Sequence, residues 1–278
     1  MDFGPVICRH NITVGTQKFG KPSPGMDPTI VVVFVFFGQH DLCKIYPNLY
    51  VIQSTFQIRG MHTLIRDSQT TKHDFVFYSD RLIRLVVEHG LGHLPFTEMQ
   101  VITPTGSVYS GVDFCKRLCG VSVIRSGESM ENALRACCKG IKIGKILIHR
   151  EGDNGQQLVY EKLPNDISKG MSSCWILSSA QFCNLHFVSG NSAVQAIKLL
   201  ISKGVPEGNI IFLNLISAPQ GVHVVCKKFP RLKIVTSEIE HGLNEEFRVI
   251  PGMGEFETDI SVPTMIRRSV IQLQPNHL

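Results

Sequence analysis

The stretch "GVSVIRSGESMENALRACC", Gly120 to Cys138, changes its period part-way along. "GVSVI", Gly120 to Ile124, is a short apolar run and reads as a strand. "ESMENALRACC", from Glu128, reads as a helix, with Ser126 as a candidate cap. Between the two stands a charged residue, Arg125. A strand-to-helix loop is where backbone N–H groups and a fixed guanidinium together suit a phosphate. The alternative is a loop arginine that pairs with Glu128 or with solvent.

The same alternation continues outward. "GKILIH" (144–149) reads as a strand, with Arg150 at its end, and "QQLVYEKL" is a further extended run. "NSAVQAIKLLISKG" is a helix closed by Gly204, "NIIFLNLISA" a buried strand, "PQGVHVVCKKF" a helix opened by proline and "LKIVTS" a strand. Strands that alternate with helices of this length predict an α/β fold: a mostly parallel sheet with helices on both faces. Ligands in such sheets sit beyond the carboxyl ends of the strands, where Arg125, His149–Arg150 and Ser217 fall. Upstream, "TTKHDFVFYSDRLIRLVVEHGLGHLPF" carries Phe75, Leu82, Leu85 and Val86 at helical spacing, which predicts a long amphipathic helix ending near Gly90 and Gly92. "YVIQSTFQIRGMHTLIRD" alternates short apolar pieces with β-branched residues and reads as strand or irregular structure.

With 278 residues, 43% of them hydrophobic, the chain can bury a sizeable core. A net charge of +5, with both signs interspersed and no Lys/Arg block, suits a small anionic ligand and argues against nucleic acid. "IVVVFVFF", Ile30 to Phe37, is too short to span a bilayer, which takes about 20 residues. With Pro24 and Pro28 ahead of it, it does not read as a signal peptide either. Nine cysteines lie scattered with no CxxC pair, and eleven histidines show no HExxH spacing, so a metal site is not expected and free thiols in a reducing compartment are. "GTQKFGKP", Gly15 to Pro22, fits GxxxxGK by coincidence, because Pro22 stands where a Mg²⁺-holding Ser or Thr is needed.

Two loops complete the set of candidates. "FVSGNSAVQAI" places Ser189, Gly190, Asn191 and Ser192 just before a helix, where small residues admit a phosphate, or where they form an ordinary N-cap. "RVIPGMGEFE" is a Pro-Gly-x-Gly loop with Glu255, able to read the edge of a flat heterocycle through its backbone, or a plain turn.

Together "GQHDLCKIYPNLYVIQSTFQIRGMHTLIRD", "FYSDRLIRLVVEHGLGHLPF", "GVSVIRSGESMENALRA", "IGKILIHRE", "SGNSA" and "VIPGMGEF" resemble the uracil phosphoribosyltransferase family, and within it the C-terminal half of plant uridine kinase-like bifunctional proteins. The resemblance implies a type I phosphoribosyltransferase fold and a role in pyrimidine salvage. In that reaction phosphoribosyl passes from 5-phosphoribosyl diphosphate (PRPP) to uracil with Mg²⁺, giving UMP and pyrophosphate. It also implies that Arg125 and Arg150 bind PRPP and act in catalysis, and that Ser189, Gly190, Asn191 and Ser192 hold the ribose and 5-phosphate. Val249, Gly254, Glu255 and Phe256 would face uracil, with Glu255 standing where the family usually has a catalytic, PRPP-binding aspartate. A homo-oligomer, dimer or tetramer, a cytoplasmic or plastid location, and GTP as a regulator belong to the same set of expectations.

The resemblance divides the chain into an unplaced segment 1–37, a phosphoribosyltransferase-like domain 38–256 and a divergent tail 257–278. Within the domain, 169–188 reads as a divergent insert that replaces the expected hydrophobic strand, and Asn184 stands roughly where an aspartate belongs. An asparagine cannot supply that negative charge. A second reading follows: an impaired nucleotide-binding module, or a regulatory remnant of a uridine kinase-like protein.

Overall fold

A computed structural model of the chain describes residues 39–113, 118–124, 127–151, 156–165, 167, 173–178, 190–244 and 249–253. At its centre is a seven-stranded sheet. Its strands in chain order are β1 (Leu49–Val51), β4 (Leu118–Ile124), β5 (Lys142–Glu151), β6 (Gln156–Lys162), β7 (Ser173–Ser178), β8 (Ile210–Ser217) and β9 (Lys233–Ile239), and their spatial order is β1-β9-β8-β7-β4-β5-β6. β2 (Thr97–Ile102) and β3 (Val108–Asp113) form a separate antiparallel hairpin, and β10 (Gly242–Leu243) pairs with β11 (Val249–Ile250). All neighbours in the large sheet run parallel except β6, which is antiparallel to β5.

Among the described residues, six helices cover the two faces: α1 (Gln39–Ile45), α2 (Phe56–Arg66), α3 (Lys72–Leu91), α4 (Glu128–Cys137), α5 (Asn191–Ser202) and α6 (Pro219–Lys228). One core joins Cys119, Val121, Val123, Cys174 and Ile176 to apolar residues of α5 and α6. The other joins Trp175, Leu177, Ile211, Leu213 and Leu215 to α2, α3 and α4. The period-2 alternation of each strand thus feeds both faces, and for that reason β8 is buried at every position.

The long helix occurs as its spacing predicts. Thr71 caps α3 by accepting from the Asp74 N–H at 3.2 Å, and Phe75, Leu82, Ile83, Val86 and Val87 face the core.

Three expectations are corrected. The stretch read as strand or irregular after Tyr50 is mostly α2: Thr55 caps it by accepting from the Ile58 N–H, and Ile58, Met61, His62 and Ile65 fall on one buried face. Helical burial there outweighs the β propensity of its branched residues. The cap of α4 is not Ser126 but Gly127, which makes no side-chain bond. Within 169–188, where no core strand was expected, Ser173–Ser178 forms the middle strand β7, paired with β4 on one side and β8 on the other. Cys174, Trp175, Ile176 and Leu177 are all fully buried, so four apolar residues suffice when both flanking strands supply hydrogen bonds.

The hairpin was not foreseen. "TPTGS" makes its turn: the Thr103 carbonyl accepts from the Gly106 N–H, and Gly106 has φ 82°. Met99, Val101, Ile102, Val108, Tyr109 and Val112 all lie exposed on it.

Candidate functional site

Because β1, β9, β8, β7, β4 and β5 are parallel, their carboxyl ends share one edge of the sheet. β4 ends at Ile124, next to Arg125, and Arg150 is the penultimate residue of β5. Gly190 starts α5, and the loop after β9 runs through Val249 to Met253. Of the candidate residues, Gly190, Asn191, Ser192 and Val249 are described; the backbone of Arg150 is described as part of β5. Arg125, Ser189, Gly254, Glu255, Phe256, Asn184 and the Arg150 side chain lie outside the described residues.

Two glycines on this edge have specific local reasons. The Gly127 N–H donates to the Val123 carbonyl at 2.7 Å, which turns the chain sharply into α4. A Cβ at Gly127 would meet the Leu177 carbonyl oxygen at 2.5 Å and Ser122 Oγ at 2.7 Å. Gly190 has φ 77°, and a Cβ there would lie 3.0 Å from the Gly221 carbonyl oxygen of α6. Its small size therefore serves helix packing as well as any ligand. Gly190→Ala is expected to lower stability by about 2 kcal/mol through left-handed strain and this contact, read as a lower urea midpoint.

Ser217, at the end of β8, is occupied internally. Its hydroxyl accepts from Asn214 Nδ2 at 2.7 Å and donates to Thr236 Oγ1 at 3.1 Å. The Ser217 carbonyl in turn accepts from the Glu240 N–H at 2.8 Å, tying the ends of β8 and β9 together.

The loop after β9 is anchored by charges. Arg66, in the last turn of α2, donates to Glu238 Oε2 at 3.0 Å, to Glu240 Oε1 and to the Gly252 carbonyl at 3.0 Å. His62 Nδ1 lies 3.2 Å from Glu238 Oε2. Nδ1 also lies 3.5 Å from Nη2 of Arg66, which can only donate. The buried Nε2 has no protein partner. Burial pushes the His62 imidazole from its ordinary 6.5 down to about 4; Glu238 pulls it up and Arg66 presses it further down. Glu240, only 4% exposed, is raised by burial against the pull of Arg66.

The sign for His62 is definite. Its folded value lies below the unfolded one, so the unfolded chain takes up the proton first, and stability falls as pH drops from 6.5 towards 4. About 2 kcal/mol should be lost between pH 7 and pH 5 through this residue. Glu240 acts oppositely: its raised carboxyl relieves a penalty as pH falls through its folded value. Urea unfolding of wild type and His62→Gln at both pH values isolates the histidine, and equal pH slopes would contradict the assignment.

The uracil phosphoribosyltransferase family model matches residues 51–258. The chain belongs to this family. It is 46% identical over 213 residues to a uracil phosphoribosyltransferase of Dictyostelium discoideum, covering 76% of this chain and 95% of that protein. It is 87% identical over 219 residues to uridine kinase-like protein 4 of Arabidopsis thaliana, covering 79% of this chain. It spans 45% of that relative's length. A solved structure from Aquifex aeolicus superposes with TM-score 0.63 at 19% identity, covering 77% of this chain and 97% of that one, which bears on the fold alone. The fold is the type I phosphoribosyltransferase kind, as the sequence resemblance implied.

Among the described residues no three His, Cys, Asp or Glu side chains converge to hold an ion, so they build no protein cage for Mg²⁺. No described helix is long and apolar enough to cross a membrane. What sequence reasoning missed was the Arg66 cluster: its partners lie 172 to 186 residues away along the chain, and no local spacing marks them.

Proposed function

We infer that this chain transfers phosphoribosyl from PRPP to uracil, a step of pyrimidine salvage. The bond from ribose C1′ to the pyrophosphate oxygen breaks, the bond from C1′ to uracil N1 forms, and N1 loses its proton. Charge grows on the departing pyrophosphate, and fixed cations stabilise it. Arg125 and Arg150, at the carboxyl ends of the neighbouring strands β4 and β5, supply those cations. Ser189, Gly190, Asn191 and Ser192, at the N-terminus of α5, take the 5-phosphate, where helix N–H groups favour an anion. Val249, Gly254, Glu255 and Phe256 face uracil, and Glu255 also binds PRPP. Mg²⁺ would arrive on the oxygens of PRPP and screen their charge.

The observation that supports this reading is the family match over 51–258, which spans every one of these positions. The test is UMP formation by the purified chain given uracil, PRPP and Mg²⁺, read by chromatography. No UMP under these conditions would end the enzyme reading.

Asn184, where the resemblance leads one to expect an aspartate, favours a second reading: a module that binds PRPP or a nucleotide without turnover. Calorimetric PRPP binding without UMP formation would select it. GTP is proposed as a regulator under either reading, and a UMP assay or PRPP titration unchanged by GTP would remove it. The exposed apolar hairpin β2–β3 supports a homo-oligomer, since two strands alone are marginal in water. Sedimentation showing only monomer at micromolar concentration would contradict that. None of the six described cysteines is in a disulfide, which supports a reducing compartment such as the cytoplasm or a plastid stroma. Imaging of the tagged chain in plant cells tests this, and an oxidising location would overturn it.

A further inference from the structure

We propose that Arg66 is a positioning residue for the base: it clamps the loop Val249–Met253 to α2, so that the uracil-facing backbone is set before substrate arrives. This rests on the reading of Val249 and Gly254–Phe256 as the uracil-facing segment. Arg66 donates to the Gly252 carbonyl at 3.0 Å, in the middle of the Pro-Gly turn. Gly252 has φ 71°, and next to it Met253 is buried, so the turn is pinned on one side by packing and on the other by a guanidinium. The guanidinium is itself held by Glu238 and Glu240, from the end of β9 where the loop begins. His62, one helical turn earlier on α2, lies 3.2 Å from the same Glu238 oxygen, Oε2, that Arg66 bonds. The loop returns to its own start through the His241 N–H, which donates to the Ile250 carbonyl at 3.0 Å.

Each contact has a consequence for the base. A carbonyl used by Arg66 is fixed in direction, and the backbone around it is fixed with it. Backbone recognition of a flat heterocycle depends on such pre-setting, because a loop that must order on binding loses affinity. A guanidinium can bond two carboxylates and a carbonyl at once through its planar fork, which an ammonium cannot do with the same geometry. The clamp touches the loop, not PRPP, so its effect belongs to uracil.

The test uses the whole chain and three variants: Arg66→Met, Arg66→Lys and Glu240→Gln. Hydrogen exchange of the amides of Val249, Ile250, Gly252 and Met253 is expected to speed up at least tenfold in Arg66→Met, and less in Arg66→Lys. Unchanged exchange there overturns the clamp whatever the chain's activity. In steady-state kinetics, KM for uracil should rise about tenfold in Arg66→Met while KM for PRPP stays within twofold. A parallel rise of both constants, or a fall in kcat alone, also overturns it. Arg66→Lys should recover part of the uracil KM, and Glu240→Gln should fall between wild type and Arg66→Met. Should Arg66→Met fail to fold, Arg66→Lys and Glu240→Gln carry the same two readouts. Wild type that makes no UMP defeats the enzyme reading alone, and the exchange experiment still decides the clamp.

Discussion

Trp175→Ala is expected to lower the free energy of unfolding by about 4 kcal/mol, close to the largest single-residue loss a core gives. Trp175 is fully buried and lies in register between Gly120 of β4 and Ile211 of β8, in the centre of the sheet. Removing the indole empties the space between the sheet and the helices α3 and α4. A Cβ at Gly120 would meet Leu134 Cδ2 at 2.6 Å, so filling the space from there requires the Leu134 side chain to shift. A typical domain has only about 5–15 kcal/mol in total, so the alanine variant should be largely unfolded at modest urea. Trp175→Phe separates burial from hydrogen bonding. The indole Nε1 is buried without a protein partner, so phenylalanine relieves an unpaired donor while it gives up some volume. The two effects oppose, and the phenylalanine variant should stay within about 1 kcal/mol of wild type. Equilibrium unfolding followed by circular dichroism reads both. An alanine variant at the wild-type midpoint would mean that β7 is not in the middle of the sheet.

Gly127→Ala is expected to cost about 3 kcal/mol, from the addition of one carbon. The added Cβ would lie 2.5 Å from the Leu177 carbonyl oxygen, 2.7 Å from Ser122 Oγ and 2.8 Å from the Val123 nitrogen. Two of those atoms are backbone in β7 and β4, so relief requires the central strands to part. Gly60 is the control. It lies exposed in α2 with nothing within 4 Å of an added Cβ, and alanine there should stabilise by about 0.5–1 kcal/mol. Opposite signs for two Gly→Ala changes would show that contact, not chain entropy, decides at Gly127. A loss below about 0.5 kcal/mol at Gly127 would refute the packing described for the β4–α4 turn.

Much of this architecture could be read from residue patterns because the forces involved are local. α3 carries its own cap in Thr71 and its own apolar stripe, so no distant contact is needed to see it. β8 is an apolar run interrupted only by Asn214 and ended by Ser217, which a strand covered on both faces explains. α2 was harder: Gly60 and the branched Ile58, Thr63 and Ile65 weigh towards extended chain, and only the buried face formed with Met61 and His62 decides for helix. β7 was hidden by its serine flanks and by its brevity, since its stability comes from β4 and β8 and not from its own composition. The hairpin was missed because its apolar residues point to both sides and are exposed, so no amphipathic period exists to find.

The candidate site divides in the same way. Gly190 was legible as a glycine before a helix, but the atoms that require it belong to Gly221, thirty-one residues on. The anchoring of the Pro-Gly loop was not legible at all. Arg66 is an ordinary last-turn arginine until β9 is placed beside α2. Electrostatic partners brought together only by the fold leave no spacing to count.

The strand order also bears on how the chain matures during synthesis. β7 is a seam: β4, β5 and β6, which are made before it, lie on one side, and β8 and β9, which are made after it, lie on the other. β1, which precedes the other six strands of the sheet in the chain, pairs with β9, Leu49 meeting Ile234, and so must wait for nearly the whole domain to emerge. Its neighbours α2 and α3 wait with it, their oily faces open to chaperones. A nascent chain stalled just before residue 230 would therefore lack β9 and leave β8 as an unpaired border, and protease resistance should arrive in one late step instead of growing with length.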